Sequence, residues 1–176
     1  MTDPDEQVVL VDEDGEPIGT ASKATVHDAD TPLHLAFSCH VTDARGRLLV
    51  TRRALSKRTW PGVWTNSFCG HPAPGESMEA AIARRALDEL GLTLADLQPL
   101  LPGFRYRATD ASGVVENEVC PVFAARTDDE VLADPDEVVE HRWVDRADLE
   151  AATRAAPWAF SPWLNLQLEA MAAQRA

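Results

Sequence analysis

Residues 70–92, GHPAPGESMEAAIARRALDELGL, predict a loop followed by one amphipathic helix. Ser77 is placed to cap the start of this helix, and Gly91 follows its end. At about 100° per residue, Arg84 and Asp88 are expected to form an exposed pair on one side. The stripe expected to face the core consists of Ala83, Ala86, Leu87 and Leu90.

Two other charges of this helix lie where a partly buried surface is normally apolar. Arg85 and Glu89 share a face with Met78 and Ile82. Buried charges need partners, which leaves two interpretations open. The residues form a buried or rim ion pair, or Glu89 is a metal ligand and Arg85 contacts a diphosphate.

Working outward, alternation and turn residues predict several strands and two further helices. Residues 33–41 alternate between an apolar and a polar face, which is typical of one half-buried strand. Helices are predicted to begin at about Ala147 and Ser161. This pattern indicates an α+β or mixed α/β fold. Two hairpins are predicted, one from strands 8–11 and 18–23 and one from strands 104–108 and 114–123. Three further single strands are predicted at 48–52, 63–69 and 141–144.

Composition and charge exclude several classes of protein. The 176 residues include 16 Lys and Arg against 29 Asp and Glu, a net charge of −13, which argues against nucleic-acid and membrane-surface binding. No apolar run approaches the roughly 20 residues of a membrane helix. Three cysteines without CxxC spacing argue against disulfide and structural zinc frameworks. We expect a single domain over 1–176, with frayed ends at about 1–7 and 172–176, in the cytoplasm.

The basic residues nevertheless form a local exception to the acidic average. Between positions 45 and 58 there are six basic residues and no acid. A small anion is therefore still an acceptable ligand for this chain. These residues are Arg45, Arg47, Arg52, Arg53, Lys57 and Arg58.

A known motif overlaps the helix described above. Gly70-x5-Glu76-x7-Arg84-Arg85-Ala86-Leu87-Asp88-Glu89-Leu90-Gly91-Leu92 resembles the Nudix box, G-x5-E-x7-R-E-U-x-E-E-x-G-U with U apolar. Two positions depart from it, since Arg85 replaces the Glu after the first Arg and Asp88 replaces the first late acid. In diphosphate-cleaving Nudix enzymes these acids hold magnesium, so the departures argue against hydrolysis.

The segments around the box narrow the resemblance. TNSFCGHP at 65–72, WPGVW at 60–64, Tyr106 and Glu116-Asn117-Glu118 are together similar to type I isopentenyl-diphosphate isomerases. The resemblance runs from about Val8 to the region of Trp163. It implies a Nudix-like fold with a central mixed sheet flanked by helices. It also implies interconversion of isopentenyl and dimethylallyl diphosphate through a tertiary carbocation.

Moving a double bond requires one group that adds a proton and one that removes it. Cys69 and Glu118 are the candidates. Cys69 lies just before a predicted helix, where positive potential can adjust the pKa of its thiol. Cys39 and Cys120 are expected to be inert buried thiols. Glu116 and Glu118 project from one strand face about 6.6 Å apart, so they share a cation or form a solvated acidic edge.

The resemblance implies that His27, His34 and His71 bind a metal together with Glu116 and Glu118. Such a donor set suits manganese, zinc or a related divalent ion, magnesium included. His34 and His40 would lie about 20 Å apart on a regular strand, so only one of them can be a ligand. His40 and His141 are interpreted as structural or surface residues.

The remaining site residues are also implied by the resemblance. Trp163 lies against the isoprenoid cation, or is an ordinary core tryptophan, and Tyr106 hydrogen-bonds near the catalytic glutamate. A second ion, Mg2+, bridges the diphosphate to Glu89 and the main-chain carbonyl of Cys69. The diphosphate contacts are Lys23, Arg53, Lys57 and Arg85.

Three functional hypotheses follow from these residues. The first is the isomerase, acting on a small isoprenoid diphosphate without nucleic acid or membrane as a partner, as a monomer or weak homodimer. The second is a Nudix-type hydrolase of a nucleoside diphosphate derivative. The third is a catalytically silent protein that binds a metal or a diphosphate.

Overall fold

Two mixed β-sheets and four α-helices make up the computed structural model, which describes residues 6–175. The first sheet comprises, in spatial order, β2 (Pro17–Ser22), β1 (Gln7–Val11), β3 (His34–Leu35), β10 (Val115–Val119) and β9 (Arg105–Thr109). The second comprises β12 (Val138–Val144), β5 (Leu48–Arg53), β4 (Phe37–Thr42), β11 (Val122–Arg126) and β8 (Ala95–Leu101). Short strands β6 (Trp64–Thr65) and β7 (Phe68–Gly70) pair with β5 and β4.

The second sheet is covered by helices on both faces. Strand β5 directs Leu49 toward α2 (Met78–Leu90) and Val50 toward α3 (Arg146–Ala155) and α4 (Pro162–Arg175). Each fully buried aliphatic side chain contributes roughly 1.5–3 kcal/mol to this packing. A four-residue helix, α1 (Lys23–Val26), follows β2. The expected α+β fold class, with flanking helices, is confirmed, and its strands are divided between two mixed sheets.

The chain passes from the first sheet to the second at two adjacent places. β3 leads into β4 through Ala36, and β10 leads into β11 through Cys120 and Pro121. The two crossings run in parallel and stay hydrogen-bonded, with Ala36 N donating to Val119 O at 2.9 Å and Ser38 N donating to Pro121 O at 3.1 Å. Side chains from both sheets therefore meet at this junction.

This junction corrects the prediction of one half-buried strand at 33–41. The segment forms two strands in different sheets, and from Ala36 to Val41 it is buried on both faces. Cys39 packs toward α2, whereas His40 contacts α4 through Gln167. The polar residues of this segment face another part of the protein and not solvent. The predicted strand at 63–69 is likewise divided, between β6 and β7.

The predicted helix is confirmed, but its expected faces are partly wrong. Ser77 Oγ accepts the Ala80 amide at 3.2 Å, and Gly91 ends α2 with φ 66°. Leu87 is 61% exposed, because the core contacts come from Ala81, Ile82, Ala86 and Leu90. The expected pair of Arg84 with Asp88 is also wrong, because the Arg84 guanidinium binds Glu76 at 2.8 and 2.9 Å.

The other predicted elements fit with small shifts. The hairpin of β1 and β2, the hairpin of β9 and β10, and helices α3 and α4 are confirmed. The predicted strand at 114–123 is divided between β10 and the start of β11, and β8 was not predicted. β1 begins at Gln7 and α4 continues to Arg175, so regular structure extends into the segments expected to be frayed. Residues 1–5 and 176 lie outside the described residues. None of the helices in residues 6–175 is long and apolar enough to span a membrane.

Candidate active site

A cavity of ≈ 680 Å³ opens at the junction of the two sheets. Nearly all of the predicted site residues line it, although they come from distant parts of the sequence. His34 is fully buried and joins the group through Glu118, 3.6 Å away. The predicted lining residues are Lys23, His27, Arg53, Lys57, Cys69, His71, Arg85, Glu89, Tyr106, Glu116, Glu118 and Trp163.

Strand register aligns three of these residues in one row. In the first sheet, Glu118 on β10 lies opposite His34 on β3 and opposite Tyr106 on β9. Directly opposed residues on neighbouring strands project from the same face. The row therefore follows from pairing across three strands, which no local sequence pattern specifies.

Three imidazoles and two carboxylates form a buried group that we call the histidine–glutamate cluster: His27, His34, His71, Glu116 and Glu118. His27 Nε2 lies 3.1 Å from Glu116 Oε2, and His71 Nε2 lies 3.3 Å from Glu118 Oε1. Glu116 and Glu118 are 8% and 5% exposed, which excludes the alternative of a solvated acidic edge.

The donor atoms of this cluster fit a divalent metal ion. Candidate ligand atoms of His27, His34, His71 and Glu118 all lie within 4.8 Å of one another. His27 Nε2, His34 Nε2 and Glu116 Oε2 are buried and make no hydrogen bond with the described residues. His34 Nδ1 donates to Pro32 O at 2.9 Å, which leaves Nε2 with its lone pair toward the cluster. The cluster can therefore hold a divalent cation.

Protonation in the cluster also favours a cation. Burial would raise the pKa of Glu118, but interactions with the imidazoles of His34 and His71 lower it well below its usual range. Burial lowers the pKa of His34, but the Glu118 carboxylate, 3.6 Å away, outweighs it and raises that pKa. Burial lowers the pKa of His71 to about 4, so this imidazole is neutral. An ionised buried carboxylate thus attracts positive charge to its neighbours.

The sulfur of Cys69 lies on another wall of the cavity, between two polar side chains. Ser38 Oγ is 3.2 Å from Sγ, and Asn66 Oδ1 accepts from Sγ at 3.3 Å. Burial raises the pKa of Cys69 to about 12, although the hydrogen bonds to Ser38 and Asn66 oppose this. The expected effect of a helix N-terminus is absent because α2 begins only at Met78. Cys69 is therefore a neutral thiol.

The other two cysteines are fully buried. Cys39 packs in the core beneath α2, and burial raises its pKa. Cys120 Sγ lies 3.4 Å from Ser38 Oγ, and burial raises its pKa well above the usual range. Both thiols are therefore protonated, as expected of inert buried thiols.

Aromatic rings form a third wall. Trp163 is 3% exposed and packs against Trp60 and Tyr106 at centroid distances of 5.4 and 5.7 Å. The Arg53 guanidinium carbon lies 5.4 Å from the Trp163 ring centroid. Burial raises the pKa of Tyr106 well above its usual value, with the charge of Glu118 adding to this. Trp163 thus belongs to the core and to the cavity wall at once.

The predicted diphosphate contacts all have protein partners. Lys23 binds Glu6 at 2.9 Å, and Lys57 is paired with Glu137. Arg53 donates to the carbonyl of Thr59 at 2.9 Å. The basic run of 45–58 divides, because Arg53, Lys57 and Arg58 line the cavity, whereas Arg47 pairs with Asp43 at a turn.

The two misplaced charges of α2 form an ion pair on the cavity wall. Arg85 Nε donates to Glu89 Oε1 at 2.9 Å, and a second nitrogen lies 3.4 Å from Glu137. Burial raises the pKa of Glu89, although Arg85 opposes this. A Cβ at Gly70 would lie 2.9 Å from the Arg85 side chain, so α2 packs directly against the backbone beside Cys69. Arg85 and Glu89 therefore make the ion pair of the first interpretation, and both line the predicted substrate cavity, as the second interpretation requires.

Sequence reasoning missed several residues that support the site. Thr59 donates to Glu116 Oε1 at 2.7 Å, and Glu137 pairs with two of the predicted diphosphate contacts. Ser38 and Gln167 contact the Cys69 side of the cavity through hydrogen bonds. Only Asn66 had a signal, because it precedes Cys69 within the 65–72 motif. The two histidines left outside the metal site are separate, with His40 buried against Gln167 and His141 exposed on β12.

The chain is similar to known proteins of one family. The NUDIX domain family matches residues 32–164. An isopentenyl-diphosphate Delta-isomerase of Clavibacter sepedonicus is 67% identical over 163 residues, covering 93% of this chain and 86% of the relative. That of Leifsonia xyli subsp. xyli is 63% identical, covering 97% and 94%. That of Citrobacter koseri is 57% identical, covering 92% and 90%.

Solved structures show the same fold. The crystal structure of DR0079 from Deinococcus radiodurans superposes with a TM-score of 0.74 at 22% identity, covering 94% of this chain and 99% of that one. A MutT NUDIX hydrolase from Burkholderia pseudomallei gives a TM-score of 0.59 at 25% identity, covering 78% and 96%. These likenesses concern the arrangement of strands and helices.

Proposed function

This chain belongs to the NUDIX family and, within it, to the isopentenyl-diphosphate Delta-isomerases, and from this premise we propose that it interconverts isopentenyl and dimethylallyl diphosphate. One observation supports the chemistry above the others. A neutral thiol, Cys69, and an ionised carboxylate, Glu118, line the same cavity. An allylic proton shift requires one acid and one base at the two ends of a three-carbon unit.

Cys69 and Glu118 act as this acid–base pair. In one direction the thiol gives its proton to the alkene and the ionised carboxylate removes a proton from the other end, which leaves a thiolate and a protonated Glu118. The reverse reaction begins from that state, with Glu118 as the acid and Cys69 as the base. Tyr106 lies opposite Glu118 in the sheet and keeps its own proton, so its hydroxyl is available as a donor near the carboxylate. Trp163 offers an indole face to the carbocation formed between the two proton transfers.

The histidine–glutamate cluster binds a divalent ion, of which manganese and zinc match its nitrogen-rich donor set better than calcium, with magnesium a further candidate. A cation there would hold the Glu118 carboxylate in place and adjust its basicity. His27 and Glu116 complete the ligand set. Thr59 orients the Glu116 carboxylate by donating to Oε1, while Oε2 of the same carboxylate lies next to His27 Nε2.

The basic side chains that line the cavity bind the diphosphate. Lys23, Arg53, Lys57 and Arg85 are the contacts, and Glu89 and the main-chain carbonyl of Cys69 would hold the Mg2+ that accompanies the substrate. Acidic partners hold three of these side chains in place, since Glu6, Glu89 and Glu137 pair with Lys23, Arg85 and Lys57. These four cations form a local exception in a chain whose net charge is −13.

Hydrolysis of a nucleoside diphosphate derivative is the weaker alternative. Arg85 stands where diphosphate-cleaving members have an acid, and it neutralises Glu89, an acid of the same helix. Reaction in deuterated water with isopentenyl diphosphate and Mg2+ distinguishes the alternatives. Deuterium-labelled dimethylallyl diphosphate supports the isomerase, released phosphate or monophosphate supports hydrolysis, and unchanged substrate supports a silent binding protein.

We place the reaction in the cytoplasm, with neither nucleic acid nor membrane as a partner, and expect a monomer or weak homodimer. The three cysteines are free thiols, which suits a reducing compartment. Light scattering over a range of protein concentrations measures the oligomeric state, and a dimer that persists at nanomolar concentration would contradict this expectation.

A further inference from the structure

The Cys69 sulfur is held from two sides by a group of buried side chains that we call the thiol clamp: Ser38, Asn66, Trp163 and Gln167. Ser38 lies directly opposite Cys69 in the pairing of β4 with β7, which accounts for their contact at 3.2 Å. Asn66 reaches the same sulfur at 3.3 Å from within the loop before β7. Ser38, Asn66 and Gln167 are fully buried, so water does not compete for these hydrogen bonds.

The orientation of the Asn66 amide is determined by its neighbours. Its Nδ2 donates to the carbonyls of Cys39 and Phe68 at 3.1 and 2.8 Å. Its Oδ1 accordingly faces the donors, and accepts the Trp163 Nε1 hydrogen at 3.1 Å. The Cys69 contact with this oxygen must therefore be a thiol hydrogen donated by sulfur.

The orientation of Ser38 is determined in the same way from the other side. Gln167 Nε2 donates to Ser38 Oγ at 2.8 Å, while Gln167 Oε1 lies 2.9 Å from His40 Nε2. Burial lowers the pKa of His40 to about 4, so its neutral ring donates Nε2–H to the Gln167 oxygen. Ser38 already accepts from Gln167, and its single hydroxyl hydrogen remains for the sulfur of Cys69 or of Cys120.

One face of α4 thus controls both sides of the sulfur. Trp163 and Gln167 are four positions apart on this helix, which places them on the same face. Trp163 binds Asn66 and Gln167 binds Ser38, and these are the two residues in contact with Cys69 Sγ. The helix carrying the aromatic wall is therefore also the support of the thiol.

We propose that Gln167 is a positioning residue for the isomerase reaction, acting through Ser38 to hold the Cys69 sulfur at the position required for proton transfer. The expected effect on kcat rests on the proposed function, because it presupposes the isomerase reaction. The proposal makes no demand on the diphosphate contacts, because it concerns only the hydrogen bonds that Gln167 and Ser38 make. Loss of the Gln167 amide leaves Ser38 free to rotate toward Cys120, and the thiol loses one of its two fixed neighbours.

The kinetic test compares Gln167→Met with Thr153→Val. Thr153 is buried on α3 and donates to the Leu149 carbonyl at 3.1 Å, so its replacement removes a buried hydrogen bond remote from the clamp. Gln167→Met should lower kcat by about 10- to 100-fold with little change in KM, because misplacement of a reacting group affects the chemical step. Thr153→Val should leave both constants near wild type at a similar loss of Tm.

Ser38→Ala provides a smaller perturbation and an internal check. It should give a similar loss of kcat, and the double variant with Gln167→Met should lose little more, since both residues act through one hydrogen bond to sulfur. Losses that multiply in the double variant would overturn the proposal. So would a kcat for Gln167→Met within about twofold of wild type, or an equal fall for Thr153→Val.

A spectroscopic measurement separates this proposal from the proposed function. The Raman S–H stretch of Cys69, isolated by subtracting the spectrum of Cys69→Ala, should shift in both Gln167→Met and Ser38→Ala but not in Thr153→Val. This result depends on thiol geometry alone and is readable even if the wild-type protein yields no dimethylallyl diphosphate. An unchanged band in both clamp variants would refute the positioning role whatever the activity.

Discussion

The histidine–glutamate cluster and the thiol clamp lie on two walls of one cavity and are built in opposite ways. In the cluster, His27 Nε2, His34 Nε2 and Glu116 Oε2 are buried without a hydrogen-bond partner among residues 6–175. In the clamp, the amide groups of Asn66 and Gln167 both donate and accept. Unpaired buried polar atoms are costly, so the two walls need different sources of stability.

This difference in hydrogen-bond partners indicates which part of the site depends on a cation. The cluster brings carboxylates and imidazoles together in a geometry that a divalent ion satisfies and that protein partners do not. The clamp needs nothing beyond the protein, because strand pairing places Ser38 beside the sulfur, the loop before β7 places Asn66 there, and α4 supports both residues. A metal should therefore act on Glu118 and leave the direction of the Cys69 thiol unchanged.

Removing the reactive group from either wall should have the largest effect. Cys69→Ala and Glu118→Gln are each expected to lower kcat by at least about 1,000-fold, because acid and base are both required. Equilibrium binding of isopentenyl diphosphate, measured by calorimetry, should survive in both. Cys39→Ala, which removes a buried thiol from the α2 core, is the control and should remain active. Near-normal turnover by Cys69→Ala would show that the acid–base assignment is wrong.

Metal removal should affect the histidine–glutamate cluster and leave the thiol clamp unchanged. Chelation should abolish activity, and added Mn2+ should restore it and raise Tm by several degrees, as expected of a ligand that binds only the folded state. His34→Gln should reduce this metal-dependent rise in Tm, whereas Gln167→Met should retain it. An equal reduction in the two variants would contradict the division between cluster and clamp, and full activity in chelator would contradict the metal site itself.

Acid should lower the free energy of unfolding through His40, which contacts Gln167 of the thiol clamp. The pKa of this fully buried histidine is about 4 when folded and near 6.5 when unfolded, so the unfolded chain binds more protons between these values. The contribution of neutral, buried His40 to the free energy of unfolding is therefore complete above pH 6.5. It falls by about 3 kcal/mol as the pH drops toward 4.

His40→Gln removes that contribution while keeping a side-chain amide beside Gln167. Denaturant unfolding at pH 7 and pH 4 measures the difference, and saturating metal suppresses the similar contribution of His71. Parallel losses of stability in the wild type and in His40→Gln would show that His40 is not the group responsible.

Trp163→Phe should give the smallest effect. The variant keeps an aromatic face toward the cavity but loses the Nε1 hydrogen bond to Asn66 and part of the cation–π attraction. We expect kcat to fall about tenfold, corresponding to about 1.4 kcal/mol, in steady-state kinetics with isopentenyl diphosphate. Trp158→Phe is the matched control, because that tryptophan is 83% exposed. A loss as large as that of Cys69→Ala would assign Trp163 a role in proton transfer.

Local patterns predicted much of the fold. The N-cap Ser77, the ending at Gly91 and the two hairpins depend on residues close in sequence, so they were predictable. The exposure of Leu87 and the pairing of Arg84 with Glu76 were not, because a helical period identifies faces but not the surface that each face meets. Likewise, alternation at 33–41 did not reveal that helices cover both sides of β4.

The site divides along the same line. By itself, the sequence determined the kinds of chemistry available: a cysteine next to a glycine, two glutamates in alternation on a strand, several histidines, and a basic segment in an acidic chain. Only the tertiary structure decided which of them meet and in what state. Two adjacent crossings between sheets align His34, Glu118 and Ser38 beside Cys69, and burial at that junction raises the pKa of the thiol further, so that it stays protonated. These properties arise from pairing and desolvation between distant segments, and neither is encoded in neighbouring residues.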